Sequence, residues 1–172
     1  MTPPIKVLFV CLGNICRSPL AEGVFRDLVA KYGLSDSIVC DSAGTHGYHT
    51  GALPDRRSRR VAADYGLNLT HLARKVSGDD YAHFDYLIAM DESNLEYIQT
   101  QFYRTTGFHP QPDTVFLYRH FDTDSTDPNV PDPYYEDMAA FEEVYQIVLR
   151  CGQNFLQYLI EKHNFASKPT HQ

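Results

Sequence analysis

The chain has 172 residues, of which 43% are hydrophobic and 22% charged, so it has neither a disordered nor a fibrous composition. Fifteen Lys and Arg against 22 Asp and Glu leave a formal charge of −7, which argues against nonspecific nucleic-acid binding. The longest apolar run, Val7 to Leu12, is six residues, far below the roughly 20 of a spanning helix. The N-terminus carries no secretory pattern. Cysteines at 11, 16, 40 and 151 form neither a zinc-type pair of C-x-x-C units nor a dense disulfide framework. The expectation is a single-domain acidic protein of the cytoplasm with reduced thiols.

In chain order, Ile5 to Val10 is a β-branched and aromatic run that suits a strand buried on both faces. A Gly-containing loop follows, then a helix with Leu20, Val24, Leu28 and Tyr32 four apart. Ser18 is its expected N-cap, Pro19 a first-turn residue and Gly33 its stop, with Glu22 and Lys31 suiting the two dipole ends. Residues 37–41 form a second strand, and 42–54 are rich in turn residues. Asp55 to Tyr65 is helical and ends at Gly66, Phe84 to Met90 is a third strand, and Asp91 to Asn94 opens another helix. Val115 to Tyr118 is a fourth strand, and helical spacing of apolar residues runs from Phe141 to about His163. Residues 1–163 are expected to form one domain and 164–172 a frayed tail. Alternating strands and helices predict an α/β fold: an open four-stranded parallel sheet with helices on both faces. Ligands of such sheets bind beyond the carboxyl ends of the strands.

That rule directs attention to Cys11-x5-Arg17-Ser18, the loop after the first strand. A short loop with Gly13 entering a helix can turn consecutive N–H groups inward as an anion nest, and the helix dipole adds positive charge. Arg17 can hold two oxyanion oxygens with its planar fork. Thiol, guanidinium and N–H cradle together make a nucleophilic phosphate site. No Gly-Lys-Ser/Thr follows, so the loop is not a nucleoside triphosphate loop. Cleaving a phosphate ester also requires a proton for the departing alcohol, and Asp132 in Val130-Pro-Asp-Pro-Tyr-Tyr135 is the candidate donor. Two prolines stiffen its loop, and Tyr134 and Tyr135 can wall a slot for an aromatic ring.

The segments Val10-Cys-Leu-Gly-Asn-Ile-Cys-Arg-Ser-Pro19 and Asp132-Pro-Tyr-Tyr135 closely resemble those of the low-molecular-weight protein tyrosine phosphatases, as do Asp41-Ser-Ala-Gly-Thr45 and Met90-Asp-Glu-Ser-Asn94. The resemblance spans about residues 5 to 160 and implies a flavodoxin-like sheet and cofactor-free, metal-independent hydrolysis of phosphotyrosine. It makes Cys11 the nucleophile, Arg17 the phosphate clamp, and Asp132 the general acid and later the base toward a phosphocysteine intermediate. Leu12, Gly13, Asn14, Ile15, Cys16 and Ser18 complete the phosphate loop, with Ser18 bonding the thiolate and Leu12 and Ile15 touching the substrate ring. Asn14, Ser42 and His71 support the loop, His71 being held cationic by Asp41 or Glu92. Tyr134 and Tyr135 form one wall of the slot and Tyr48 the facing one. Cys16 becomes a reversible disulfide partner that protects Cys11 from over-oxidation. The implied partners are tyrosine-phosphorylated proteins and small aryl phosphates, with inorganic phosphate as product, no nucleic acid, no membrane, and a monomer or weak homodimer.

Two other readings stand beside this one. Arsenate reductases can share this fold and loop, but they use resolving cysteines, and none lies between Cys40 and Cys151. The other is a non-catalytic phosphotyrosine or anion reader, a role that intact Cys11, Arg17, Ser18 and Asp132 weaken. Cys40 and Cys151 are expected in the core. Arg56, Arg57, Arg59 and Arg60 are expected on a solvated helix face; the alternative reading is that some of them attract acidic or phosphorylated substrates toward the cleft. His46 and His49 lack carboxylate or thiol partners at metal-ligand spacing.

Overall fold

The computed structural model describes residues 2–166. Its elements are β1 (Ile5–Cys11), α1 (Arg17–Lys31), β2 (Ile38–Gly44), α2 (Arg56–Asp64), α3 (Asp80–His83), β3 (Tyr86–Ala89), α4 (Glu92–Thr106), β4 (Val115–Leu117) and α5 (Met138–His163), with a 3-10 turn at Tyr118–Phe121. The strands form one parallel sheet in the order β2-β1-β3-β4. This is the expected doubly covered α/β architecture.

The alternation of β1 explains the two faces. Val7, Phe9 and Cys11 point into a core shared with α1, α2 and α5, while Leu8 and Val10 point into a second core with Leu87, Ala89 and Ile98. Every one of these residues is buried, which is why the strand is apolar throughout rather than alternating. Cys11 thus ends a central strand, on the face that α1 covers.

Boundaries shift where long-range pairing decides them. β2 runs on to Gly44 because it pairs along the whole of β1, Cys11 lying opposite Gly44. A Cβ on Gly44 would stand 2.8 Å from the Leu12 carbonyl oxygen, so only glycine lets β2 end against the loop. Ser18 is not the N-cap of α1; the helix begins one residue before it and Cys16 occupies the cap without a side-chain bond. The Ser18 hydroxyl is engaged by the thiol and amide of the loop instead. α5 starts at Met138, three residues before its first buried apolar position, because Asp137 caps it by accepting from the Ala140 N–H. The helix over 80–83 and the 3-10 turn are too short to show any periodicity.

The tail expected to fray over 164–172 begins in order: Asn164 closes α5 in the left-handed region, and the Phe165 N–H donates to the Ile160 carbonyl. The remainder, 167–172, lies outside the described residues. Among the described residues no helix is long and apolar enough to cross a membrane.

Candidate active site

The loop between β1 and α1 stands at the carboxyl edge of the sheet. Its hub is Asn14, a non-glycine residue at φ 58°, a conformation Asn tolerates better than most. Four hydrogen bonds hold it there. Asn14 Nδ2 donates to Ser18 Oγ (2.8 Å) and Ser42 Oγ (3.0 Å), and its Oδ1 accepts from the Arg74 N–H (3.0 Å) and lies 2.7 Å from His71 Nε2. A buried amide can satisfy all its positions only in a place built for it.

Cys11 Sγ lies 2.9 Å from Ser18 Oγ, with both side chains buried. Arg17, 3% exposed, donates through Nη1 to Asp91 Oδ2 (2.7 Å) and to the Val130 carbonyl (3.0 Å). Its Nη2 is 3.7 Å from Asp132 Oδ2. A buried guanidinium needs such a partner, so Asp91 is a member of the site that its reading as a helix opener concealed. Burial, and after it the negative charges of Asp55, Cys11 and Asp132, push the Cys16 thiol well above its ordinary range. Cys16 is therefore held as a neutral thiol inside the loop, and no disulfide joins it to Cys11 here.

The support network differs from expectation in one partner. Asp41 faces His71 as expected, its Oδ1 3.3 Å from Nδ1. Glu92 does not. It heads α4, where its N–H donates to Asn129 Oδ1. The second carboxylate at His71 is Glu22, whose Oε1 lies 3.3 Å from Nδ1 and accepts from the Ser42 hydroxyl at 2.7 Å. Glu22 projects from α1 toward β2, so its role comes from helix packing and not from a dipole preference. Acceptors thus stand at both ring nitrogens of His71.

Glu22, Asp41 and His71 each present a ligand atom within 4.8 Å of one another, a spacing that could hold a cation. Each is already committed: Glu22 to Ser42 and Arg26, Asp41 to Arg74, and His71 to Asn14. Their chemistry is that of a brace for the loop.

Burial pushes the Asp41 carboxyl up, but hydrogen bonds from His71 and the Ser42 N–H, with Arg74 beside it, outweigh that and hold it at about 2. A carboxyl depressed from about 3.8 stabilises the fold fully above pH about 4, and that contribution is lost as the pH falls through about 2. Asp41→Asn is therefore expected to flatten the acid limb between those values. Denaturant midpoints measured across that range check it, and an unchanged limb would remove Asp41 from the brace.

A cavity of about 290 Å³ opens over the loop, lined by Cys11, Leu12, Gly13, Ile15, Cys16 and Arg17 below. Above stand Tyr48, His49, Asp132, Tyr134 and Tyr135. Every residue expected at the slot is therefore present. Tyr48, 78% exposed, stacks on His46 with ring centroids 5.1 Å apart. His49 adds a wall that no motif in the sequence marks; its ring lies 6.3 Å from that of Tyr134, and a glycine at position 13 leaves it room. Cys40 and Cys151 do not line the cavity, and burial first of all raises both thiols to about 12.

The arrangement holds a buried thiol, a clamped guanidinium, a helix N-terminus and a carboxylate around one aromatic-rimmed cavity. Such a set suits transfer of a phosphoryl group to sulfur. A family model described as low molecular weight phosphotyrosine protein phosphatase matches residues 6–164. The rat (Rattus norvegicus) protein of that name is 41% identical over 156 residues, covering 88% of this chain and 94% of its own. The crystal structure of YfkJ from Bacillus subtilis superposes with a TM-score of 0.83 at 40% identity, over 94% of this chain and 98% of that one. A Drosophila protein described as an arginine phosphatase gives a TM-score of 0.83 at 35% identity, over 90% and 97% of the two chains.

Proposed function

The chain belongs to the low molecular weight phosphotyrosine protein phosphatase family, and on that footing we propose which residues carry its reaction and on what substrate. The enzyme is a cysteine-based protein tyrosine phosphatase. Cys11 attacks the phosphorus of an aryl phosphate, forming the S–P bond while the P–O bond to the phenol breaks. Asp132 gives its proton to the departing phenolic oxygen. The resulting carboxylate then takes a proton from water, whose oxygen displaces the sulfur and releases inorganic phosphate.

Arg17 has both Nη1 protons engaged by Asp91 and Val130, which leaves Nε and Nη2 to meet two phosphate oxygens. Ser18, 2.9 Å from the sulfur, donates to the thiolate both before attack and as it leaves. Asn14, Ser42, His71, Asp41 and Glu22 hold the loop open in the shape of the phosphate. Tyr48, His49, Tyr134 and Tyr135 receive the ring, so tyrosine-phosphorylated proteins and small aryl phosphates are the substrates. Under peroxide the Cys11 sulfur is oxidised to a sulfenic acid, and the Cys16 thiol then displaces water from it to close a disulfide. A nucleophile that must stay reduced suits the cytoplasm.

The observation that carries this reading is the single cavity in which Cys11, Arg17 and Asp132 meet under aromatic walls. Cys40 and Cys151 lie away from it, where they cannot relay a disulfide out of the site, which disfavours arsenate reduction. The test is turnover across phosphotyrosine, phosphoserine and phosphoarginine peptides at equal concentration. Phosphotyrosine is expected to exceed the others by about 100-fold or more, because only an aryl ring fills the slot. Preference for phosphoarginine would overturn the substrate assignment while leaving the cysteine chemistry in place.

A further inference from the structure

The arginines of α2 are not equivalent members of a solvated face. Arg56 and Arg60 are exposed, whereas Arg57 is half-buried and its guanidinium is engaged on three sides. Nε and Nη2 fork onto Asp55, at 3.0 Å to Oδ1 and 3.1 Å to Oδ2. Nη2 also donates to the Tyr134 carbonyl and Nη1 to the Glu136 carbonyl, each at 2.9 Å. The flat group lies 4.3 Å from the ring centroid of the fully buried Phe141.

Its partners belong to both halves of the active site. Asp55 donates its N–H to the Ile15 carbonyl at 2.7 Å, and Ser58 Oγ donates to the Cys16 carbonyl at 3.3 Å, so the start of α2 is tied to the phosphate loop. Tyr134 and Glu136 lie two and four residues beyond Asp132, and the Tyr134 N–H donates to Asp132 Oδ1 at 3.1 Å. On the other side, Val130 is fixed by Arg17 and by its N–H bond to the Met90 carbonyl. Asp132 therefore hangs on a short proline-flanked span, Val130 to Tyr134, held at one end by Arg17 and at the other by Arg57.

We propose that Arg57 is a positioning residue for the general acid, fixing the distance from the Asp132 carboxyl to the leaving-group oxygen through the Asp55 strut on the phosphate loop. This rests on the reading of Asp132 as the acid. Lysine cannot substitute, because a single ammonium cannot span Asp55 and two carbonyls in one plane. Proton donation is steep in distance, so a small displacement of the span is felt in kcat/KM on substrates whose phenol needs the proton. Binding of the phosphate itself is left alone.

The experiment compares Arg57→Gln and Arg57→Lys with the native enzyme on a phosphotyrosine peptide and on an aryl phosphate with a strongly acidic phenol, each also in an Asp132→Ala background. Both variants are expected to lose about tenfold in kcat/KM, which counts only the steps up to departure of the phenol, on the peptide and less than about twofold on the activated ester, with affinity for inorganic phosphate little changed. In the Asp132→Ala background the same replacements are expected to change neither rate by more than about twofold, since the group they position is gone. Equal losses on the two esters, full restoration by lysine, or losses that simply add to those of Asp132→Ala would overturn the proposal. Should Arg57→Gln fail to fold, Arg57→Lys, which keeps an aliphatic stem over Phe141, carries the same comparison. If Asp132→Ala alone shows equal losses on both esters, the acid assignment fails. If it discriminates and the Arg57 variants do not, only the positioning role fails.

Discussion

Cys11→Ser is expected to reduce turnover of p-nitrophenyl phosphate by about 10⁴-fold or more, at least about 5.4 kcal/mol of transition-state stabilisation. The reason is chemical before it is geometric. A hydroxyl in place of the thiol is a far weaker nucleophile at neutral pH, and its hydrogen-bond partner, the hydroxyl of Ser18 at 2.9 Å, is not a base that could activate it. The binding machinery does not depend on sulfur. Arg17 keeps Asp91 and Val130, and Asn14 keeps its four bonds. The variant should therefore still bind inorganic phosphate, read by calorimetry or by a rise in melting temperature. Turnover within about tenfold of the native enzyme would remove Cys11 from the nucleophile's role.

Asp132→Ala is expected to cost about 10²- to 10⁴-fold in kcat/KM on a phosphotyrosine peptide, the range typical of a lost general acid. The loss should shrink sharply on esters of acidic phenols. Tyrosine leaves with difficulty as a phenolate, its phenol having a pKa of about 10, so it depends on the proton; an activated phenol does not. The carboxyl is on a half-exposed side chain 3.7 Å from Arg17 Nη2, close enough to swing onto a leaving group without being locked to the guanidinium. A plot of log kcat/KM, which ends at departure of the phenol, against leaving-group pKa should be shallow in the native enzyme and steep in the variant. Parallel plots would assign the proton to another donor.

Much of this site is legible along the chain because its chemistry is local. Cys11, Gly13, Asn14, Arg17 and Ser18 lie within one turn-and-helix segment, and a loop of that composition between a buried strand and a helix has few other uses. Asp132 and its two tyrosines likewise sit in one proline-flanked stretch. The support residues are harder to read. Asn14, Ser42 and His71 meet as the family resemblance implied, yet the carboxylates around His71 had two candidate partners, and helix packing chose Glu22 beside Asp41 while sending Glu92 to Asn129.

The sequence alone determined the strand-loop-helix that presents a thiol and a guanidinium to one anion, and the acidic loop that can protonate what leaves. Those features depend on backbone geometry within a few residues, where local rules are strong. The tertiary structure decided which acid holds Arg17, which second carboxylate faces His71, and which of four neighbouring arginines reaches the acid loop. Each of those choices joins residues far apart in the chain: Arg17 to Asp91, Glu22 to His71, Arg57 to Tyr134. They follow from the strand order β2-β1-β3-β4 and from how α1, α2 and α5 pack on it, so spacing along the chain carries no trace of them.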